Sequence, residues 1–240
     1  VMGGGLAFIH PLFPMYFGAL IAVFGGFLAM KYLKESTIEK VKIEKSSLKF
    51  YDKRIFPFLF GWCIAFLVFT GTQVIAAFFI EDRLGVIGQN EIIKATSIAL
   101  LSMALTTTLM QAVVLQIFNI SFQTLLRICF VIFGTILLSI TLVQDLWHLY
   151  LAFSGIGIAF SMMTPGLNAG ATLSVETHEQ GEVAGLLAAA PVLGMIFGPP
   201  LGAFLYNLDT TYPFYYGGIV VLTLGVYFQF IKFPKDIHSK

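Results

Sequence analysis

The sequence is poor in charge. Charged residues make up 11% of its 240 residues, whereas a soluble domain usually has about a quarter of its residues charged. Hydrophobic residues make up 58%, the mean hydropathy is +0.87, and the 25 phenylalanines are too many for the core of a soluble chain of this size. This balance excludes an ordinary soluble domain and indicates a protein that crosses a membrane several times. Because period-two alternation is absent, helices are favoured over strands, and we expect an all-α membrane protein.

Residues that carry chemistry are also scarce. The two cysteines, Cys63 and Cys129, lie in apolar stretches without a His or Cys neighbour at metal-ligand spacing, so packing is their expected role. No phosphate-binding glycine loop and no His-Glu-x-x-His pattern is present, and the middle of each apolar run has no acidic, basic or histidine side chain. We therefore expect no catalytic residues, no metal and no cofactor, and we do not expect an enzyme.

Seven uncharged runs predict membrane-spanning helices. Each run is close to the ~20 residues that cross the hydrocarbon core of a bilayer. The helices are expected near residues 12–30, 55–80, 95–118, 124–143, 147–173, 183–206 and 212–231, with the turn "NISFQ" (119–123) dividing a long uncharged stretch. The opening "VMGGGLAFIHPLFP" resembles the tail of an earlier helix, which indicates that the chain is part of a longer protein.

The placement of Lys and Arg predicts the orientation. Twelve of these residues fall on one face of the predicted topology, whereas Arg83 and Lys94 fall on the other. Because positive residues favour the cytoplasmic side, the loop at 31–54 and the tail at 232–240 are expected in the cytoplasm of a cell carrying the protein in its plasma or inner membrane. The loop also carries four acidic residues, which indicates a solvated linker and no nucleic-acid partner.

A weak internal repeat relates the two ends of the chain. With an offset of 199 residues, positions 1–26 align without a gap with positions 200–225, and Pro14 meets Pro213 while Gly18 meets Gly217. The repeat spans about six helices, and both copies of its turn fall on the outer face. Parallel six-helix halves of this kind are the arrangement of major facilitator transporters.

A glycine and proline pattern carries the family resemblance. The stretch "GLLAAAPVLGMIFGPPLGAFLY" (185–206) resembles the antiporter motif of the major facilitator superfamily, although the final glycine of that motif is Ala203 here. In the family the motif normally lies on the fifth helix, whereas here it lies on the eleventh. A glycine face lets another helix approach closely, and we expect packing and gating roles for Gly185, Gly194, Gly198, Pro199 and Gly202.

The resemblance covers essentially the whole chain and implies its organisation. Residues 1–30 would be the end of the fifth helix and the sixth helix, residues 31–54 the link between halves, and residues 55–231 the C-terminal six-helix bundle. The cytoplasmic loop between the eighth and ninth helices retains only Arg127 of the family signature, and Arg127 is expected to anchor that loop. A missing N-terminal six-helix half is the implied partner, together with the lipid bilayer and a small-molecule substrate.

Polar stripes mark the candidate substrate cavity. Family analogy turns the seventh, eighth, tenth and eleventh helices towards the cavity, and three of them carry polar or aromatic side chains at helical spacing. Hydrogen bonding between helices is the alternative role for any one of them. The candidates are Trp62, Phe66, Thr70, Gln73, Thr108, Gln111, Ser161 and Asn168.

The sequence therefore predicts a secondary transporter with the major facilitator fold, working by alternating access in drug or metabolite efflux driven by a proton gradient. The acids that couple protons would lie in the absent half, as is usual for drug/proton antiporters. A metabolite:cation symporter is the first alternative, and a receptor or scaffold without transport on the same fold is the second. The sequence does not identify the substrate.

Overall fold

The computed structural model describes residues 12–32, 48–118, 120–231 and 233. Contacts divide the chain into two compact units, Val1–Ser46 and Ser47–Lys240. In the first unit, helix α1 covers Phe13–Tyr32. The predicted end of an earlier helix, most of the predicted 31–54 loop and almost all of the tail lie outside the described residues, so these boundaries stay predictions.

The described part of the second unit forms six long helices. They are α2 (Phe56–Asp82), α3 (Gln89–Leu109), α4 (Phe122–Ile140), α5 (Leu146–Leu173), α6 (Gln180–Leu208) and α7 (Tyr212–Phe230). A π-helical turn, Met110–Val114, and a last α-turn, Leu115–Ile117, extend α3, and a short 3-10 helix, Thr177–Glu179, precedes α6. With α1, seven helices among the described residues are long and apolar enough to span a membrane. The predicted all-α membrane protein is confirmed.

Helix boundaries agree with the predictions to within a few residues, except at the start of α3. This helix begins at Gln89, six residues before the predicted position. The added residues include Glu91 and Lys94, whose side chains form an ion pair at 2.7 Å and remain exposed. An uncharged run therefore marks the part of a helix inside the bilayer and underestimates the full length of the helix.

Polar and proline residues fix several helix starts. The hydroxyl of Ser121 accepts a hydrogen bond from the amide of Thr124 at the start of α4, and the Asp145 carboxylate accepts one from the amide of His148 at the start of α5. Such caps satisfy amides that have no partner within the helix. Pro57 and Pro213 occupy the first turns of α2 and α7, where a missing amide costs little.

The six helices pack mainly as neighbouring pairs. Helix α2 lies against α6, α3 lies against α5, and α4 contacts both α5 and α7. Aromatic rings fill much of the space between them: Phe130 of α4 stacks on Phe228 of α7 with ring centres 5.0 Å apart, and Phe79 meets Phe214 edge-on at 4.9 Å. Helix α2 also contacts α5 directly, so these two helices lie side by side in the bundle.

The last residues before α2 pack on the bundle. The amide of Leu48 donates to the carboxylate of Glu182 at 2.8 Å, and Phe50 packs against the hydrophobic core. Arg54 pairs with Glu179, before α6, at 2.9 Å. The part of the predicted linker that the structure describes, residues 48–54, therefore contacts the helices of its own unit while every one of these residues stays exposed or half-buried, and the solvated linker stays a prediction.

Candidate functional site

Helices α2 and α6 meet through glycine. Gly194, Gly198 and Gly202 are buried on the face of α6 that contacts α2. A Cβ built on Gly194 would lie 2.6 Å from the amide nitrogen of Leu67, and one on Gly202 would lie 2.7 Å from the carbonyl carbon of Gly71. These atoms belong to the backbone and cannot turn aside, so the two helices are in contact where side chains would normally separate them.

The other motif residues differ from these three. A Cβ on Gly185 would meet no neighbouring atom within 4 Å among the described residues, so this glycine is not needed for the α2–α6 contact. Pro199 lies within α6 together with Pro191 and Pro200, and the helix is continuous from Gln180 to Leu208. Each proline removes one amide donor from the helix ladder, which makes this part of α6 easier to bend.

An aromatic and amide cluster joins α2 to α5. The indole Nε1 of Trp62 donates a hydrogen bond to Oδ1 of Asn168 at 3.1 Å. The ring of Phe66 lies 5.4 Å from that of Trp62 and 5.8 Å from that of Phe160, and Phe69 lies 4.6 Å from Phe160. Asn168 is exposed and Phe66 is half-buried. The structure thus brings three predicted candidates, Trp62, Phe66 and Asn168, into one cluster, in which Trp62 is buried at 6% exposure and Asn168 reaches the surface.

Two predicted candidates point into the bundle. Thr70 is 8% exposed and donates to the carbonyl of Phe66 in its own helix; its hydroxyl also lies against Gly198. Ser161 is fully buried and donates to the carbonyl of Ile158 at 2.6 Å. In this conformation both side chains contribute to packing, and a substrate would reach them only if the neighbouring helices separated.

The remaining candidates are exposed but separate from the cluster. Gln73 is on the surface of α2. Thr108 of α3 donates to the carbonyl of Ala104 in its own helix, and Gln111 lies in the π-helical turn. Turns of this kind often occur at functional sites. The role of all three as cavity residues stays a prediction.

Several contacts were not found in the sequence. Phe69 and Phe160 complete the aromatic cluster, but a phenylalanine among 25 gives no signal of its own. Helix α3 is tied to α5 by the hydroxyl of Thr106, which donates to the carbonyl of Ser154 at 2.9 Å, and by that of Thr107, which donates to Gly157 at 3.1 Å. The Thr-Thr-Thr run at 106–108 was the available signal for this contact.

A charged group lies where the predicted linker meets α2 and α6. The guanidinium of Arg54 bonds both oxygens of the Glu179 carboxylate, at 2.9 and 3.0 Å, and also bonds Asp52. Hydrogen bonds to Asp52 and then to Glu179 raise the pKa of Arg54, while those from Arg54 lower the pKa of Asp52. Glu179 also accepts from the amide of Glu176. The start of α2 is therefore clamped to the start of α6.

Arg127 contacts the end of the bundle. Its carbonyl accepts a hydrogen bond from Nε2 of Gln229 at 2.7 Å, and its guanidinium lies 5.7 Å above the ring of Phe233. Its role as a loop anchor stays a prediction, because both contacts are with α7 and the residues after it. Among the described residues, no group of three His, Cys, Asp or Glu side chains could hold a metal ion.

Comparison with known proteins gives a family match and two relatives. The model of the Major Facilitator Superfamily matches residues 62–240. Multidrug resistance protein 1 of Bacillus subtilis (strain 168) is 26% identical over 235 residues, which is 94% of this chain and 58% of that protein. Multidrug resistance protein 2 of the same organism is 24% identical over 238 residues, 92% of this chain and 57% of that protein. The chain spans less than three-fifths of the length of these relatives, but the family match covers most of the chain. The chain belongs to the Major Facilitator Superfamily.

Proposed function

We propose that the protein exports drugs or metabolites across the cell membrane by alternating access, driven by a proton gradient. Family membership and the two multidrug resistance proteins among its relatives support this proposal. We propose further that the described bundle works with another six-helix half, and that its C-terminus lies in the cytoplasm, as the asymmetry of Lys and Arg indicates.

The cluster of Trp62, Phe66 and Asn168 carries the proposal of a substrate site. Aromatic faces offer a large contact area to apolar ligands, and binding sites combine such surfaces with a few polar groups. The Asn168 carbonyl is already used by Trp62, whereas its exposed amide nitrogen makes no hydrogen bond among the described residues. This nitrogen can donate to a substrate that rests on the rings.

The glycine contact supports the proposed movement. Because α2 and α6 touch at their backbones, they can move together as one rigid body against the other half. The prolines of α6 allow a local bend where amide donors are missing. Asp, Glu, Lys, Arg and His side chains are absent from the middle of the described helices, so we place the proton-coupling carboxylates in the other half of the transporter.

Drug efflux from cells tests the proposed site. Asn168→Ala is expected to change the range or apparent affinity of exported drugs at normal membrane expression, and Gln73→Ala is expected to do the same if the cavity reaches that far along α2. Asn207→Ala is the matched control, since it removes an exposed amide at the end of α6. Unchanged transport per folded molecule for both cavity variants would assign these side chains to packing alone.

The same assay separates the alternatives. A metabolite:cation symporter would accumulate its substrate in the cell, and a receptor or scaffold would move none. Gly198→Leu is expected to abolish export while the protein still reaches the membrane, because a larger side chain cannot be absorbed between backbones in contact. Export at the wild-type rate in this variant would contradict alternating access through the α2–α6 contact.

A further inference from the structure

A groove runs between α2 and α7 on the outer side of the bundle. Its volume is about 430 Å³, and its walls include Phe60 and Ile64 of α2 and Ile219 and Val220 of α7. Phe60 and Ile64 are two residues from Trp62 and Phe66, so at 3.6 residues per turn they lie on roughly the opposite side of α2. The groove is therefore separate from the candidate substrate site.

The groove is suited to a hydrocarbon chain. Its walls are almost wholly apolar. The hydroxyl of Thr223 donates a hydrogen bond to the carbonyl of Ile219 at 2.8 Å, so this hydroxyl needs no hydrogen-bond acceptor from a molecule in the groove. Phe60 is 41% exposed in the described bundle and lies on a helix that is long and apolar enough to span a membrane. The lipid tail is the apolar molecule present at highest concentration in that setting.

One end of the groove is basic. A second cavity of about 360 Å³ continues past Pro57 and Tyr227, which line both cavities, and reaches Lys53 and Arg54. Arg54 is occupied by Asp52 and Glu179. Lys53 is exposed and forms no ion pair with any residue that the structure describes, and within the same residues the Tyr227 hydroxyl makes no hydrogen bond. A cation and a hydroxyl donor thus remain at the mouth of an apolar groove.

We propose that this groove binds an anionic phospholipid, with one acyl chain between α2 and α7 and the headgroup phosphate at Lys53 and Tyr227. Lys53 lies three residues before α2 and Tyr227 three before the end of α7, which places both at the depth of the headgroups. Basic pockets between helices on the cytoplasmic side are suited to such lipids. The proposal does not depend on transport, and we expect the lipid to bind in any state of the protein that exposes this groove.

Native mass spectrometry of the purified protein in detergent tests the proposal. The wild type is offered equal amounts of phosphatidylglycerol and phosphatidylcholine with the same acyl chains, and we expect it to retain the anionic lipid preferentially. Lys53→Gln is expected to reduce that preference about fivefold, which corresponds to about 1 kcal/mol. Lys49→Gln removes the same charge four residues away, outside both cavities, and is expected to keep the preference.

The groove itself is tested by filling it. Ile219→Trp is expected to reduce retention of both lipids, whereas Val226→Trp, at an exposed position of the same helix outside the groove, is expected to leave it unchanged. Equal retention of the two lipids by the wild type would overturn the proposal, and this result needs no variant. An equal loss of preference for the anionic lipid in Lys53→Gln and Lys49→Gln would show that general surface charge causes the preference, which would contradict the proposed site. Displacement of the lipid by inorganic phosphate alone would also contradict the proposal.

Discussion

Gly202→Ala tests the α2–α6 contact most simply, since it adds a single methyl group. The new Cβ would lie 2.7 Å from the carbonyl carbon and the Cα of Gly71, whereas ordinary contacts are 3.4–4 Å. The helices must therefore move apart by roughly 1 Å, and overpacking of this kind costs about 1–3 kcal/mol. Alanine also favours the helix over glycine by about 1 kcal/mol, so we expect a net loss of up to about 2 kcal/mol.

Gly185→Ala is the matched control for this prediction. It makes the same chemical change in the same helix, but its Cβ would meet no neighbour within 4 Å in the part of the chain that the structure describes, so we expect a neutral or slightly stabilising effect. Thermal unfolding of the purified proteins in detergent measures both, and for a chain of this size 1 kcal/mol corresponds to roughly 2–4 °C. Equal melting temperatures for the two variants would refute the interpretation of Gly202 as a backbone contact.

Three further predictions concern the cluster, the charged group and the topology. Trp62→Phe removes the indole donor of the α2–α5 hydrogen bond. We expect the free energy of unfolding to fall by about 0.6 kcal/mol, and drug export to change by more than this loss of stability explains. Arg54 lowers the pKa of Asp52 from its ordinary value of 3.8, so the pair stabilises the fold above pH 3.8, and this stability is lost as the pH falls through the lowered pKa. We therefore expect the difference in stability between wild type and Arg54→Gln to be constant near neutral pH and to shrink below about pH 4. Single cysteines replacing Lys53 and Asn207, with the native cysteines removed, are expected to react with impermeant reagents from opposite sides of the membrane, and labelling from one side would contradict the helix count.

The sequence was sufficient for the fold because bilayer helices leave a strong signal. An uncharged run of sufficient length predicts a span, and the ends of α5 and α7 lie within one residue of their predicted positions. The start of α3 was missed because charged side chains continue a helix beyond the bilayer. Likewise, the docking of residues 48–54 depends on Glu179 and Glu182, more than a hundred residues away, and no local pattern reports such a contact.

Only part of the candidate site could be predicted from the sequence. Helical spacing grouped Trp62 with Phe66 correctly, since both lie on one face of α2. It could not show that Asn168 would meet them, because that contact depends on the packing of α2 against α5. Spacing also assigned Ser161 to the same stripe as Asn168, although Ser161 is fully buried; the two side chains are two turns apart along α5, and burial changes along its length.

Transport by the purified full-length protein in proteoliposomes tests the central claim most directly. With an imposed proton gradient, we predict uptake of a fluorescent drug in the direction opposite to proton flow, and loss of this uptake when an uncoupler collapses the gradient. Asn168→Ala reconstituted at the same density is expected to change the apparent affinity for the drug. Uptake no greater than in protein-free liposomes, with the gradient intact and the protein folded, would contradict the proposal of a proton-driven exporter.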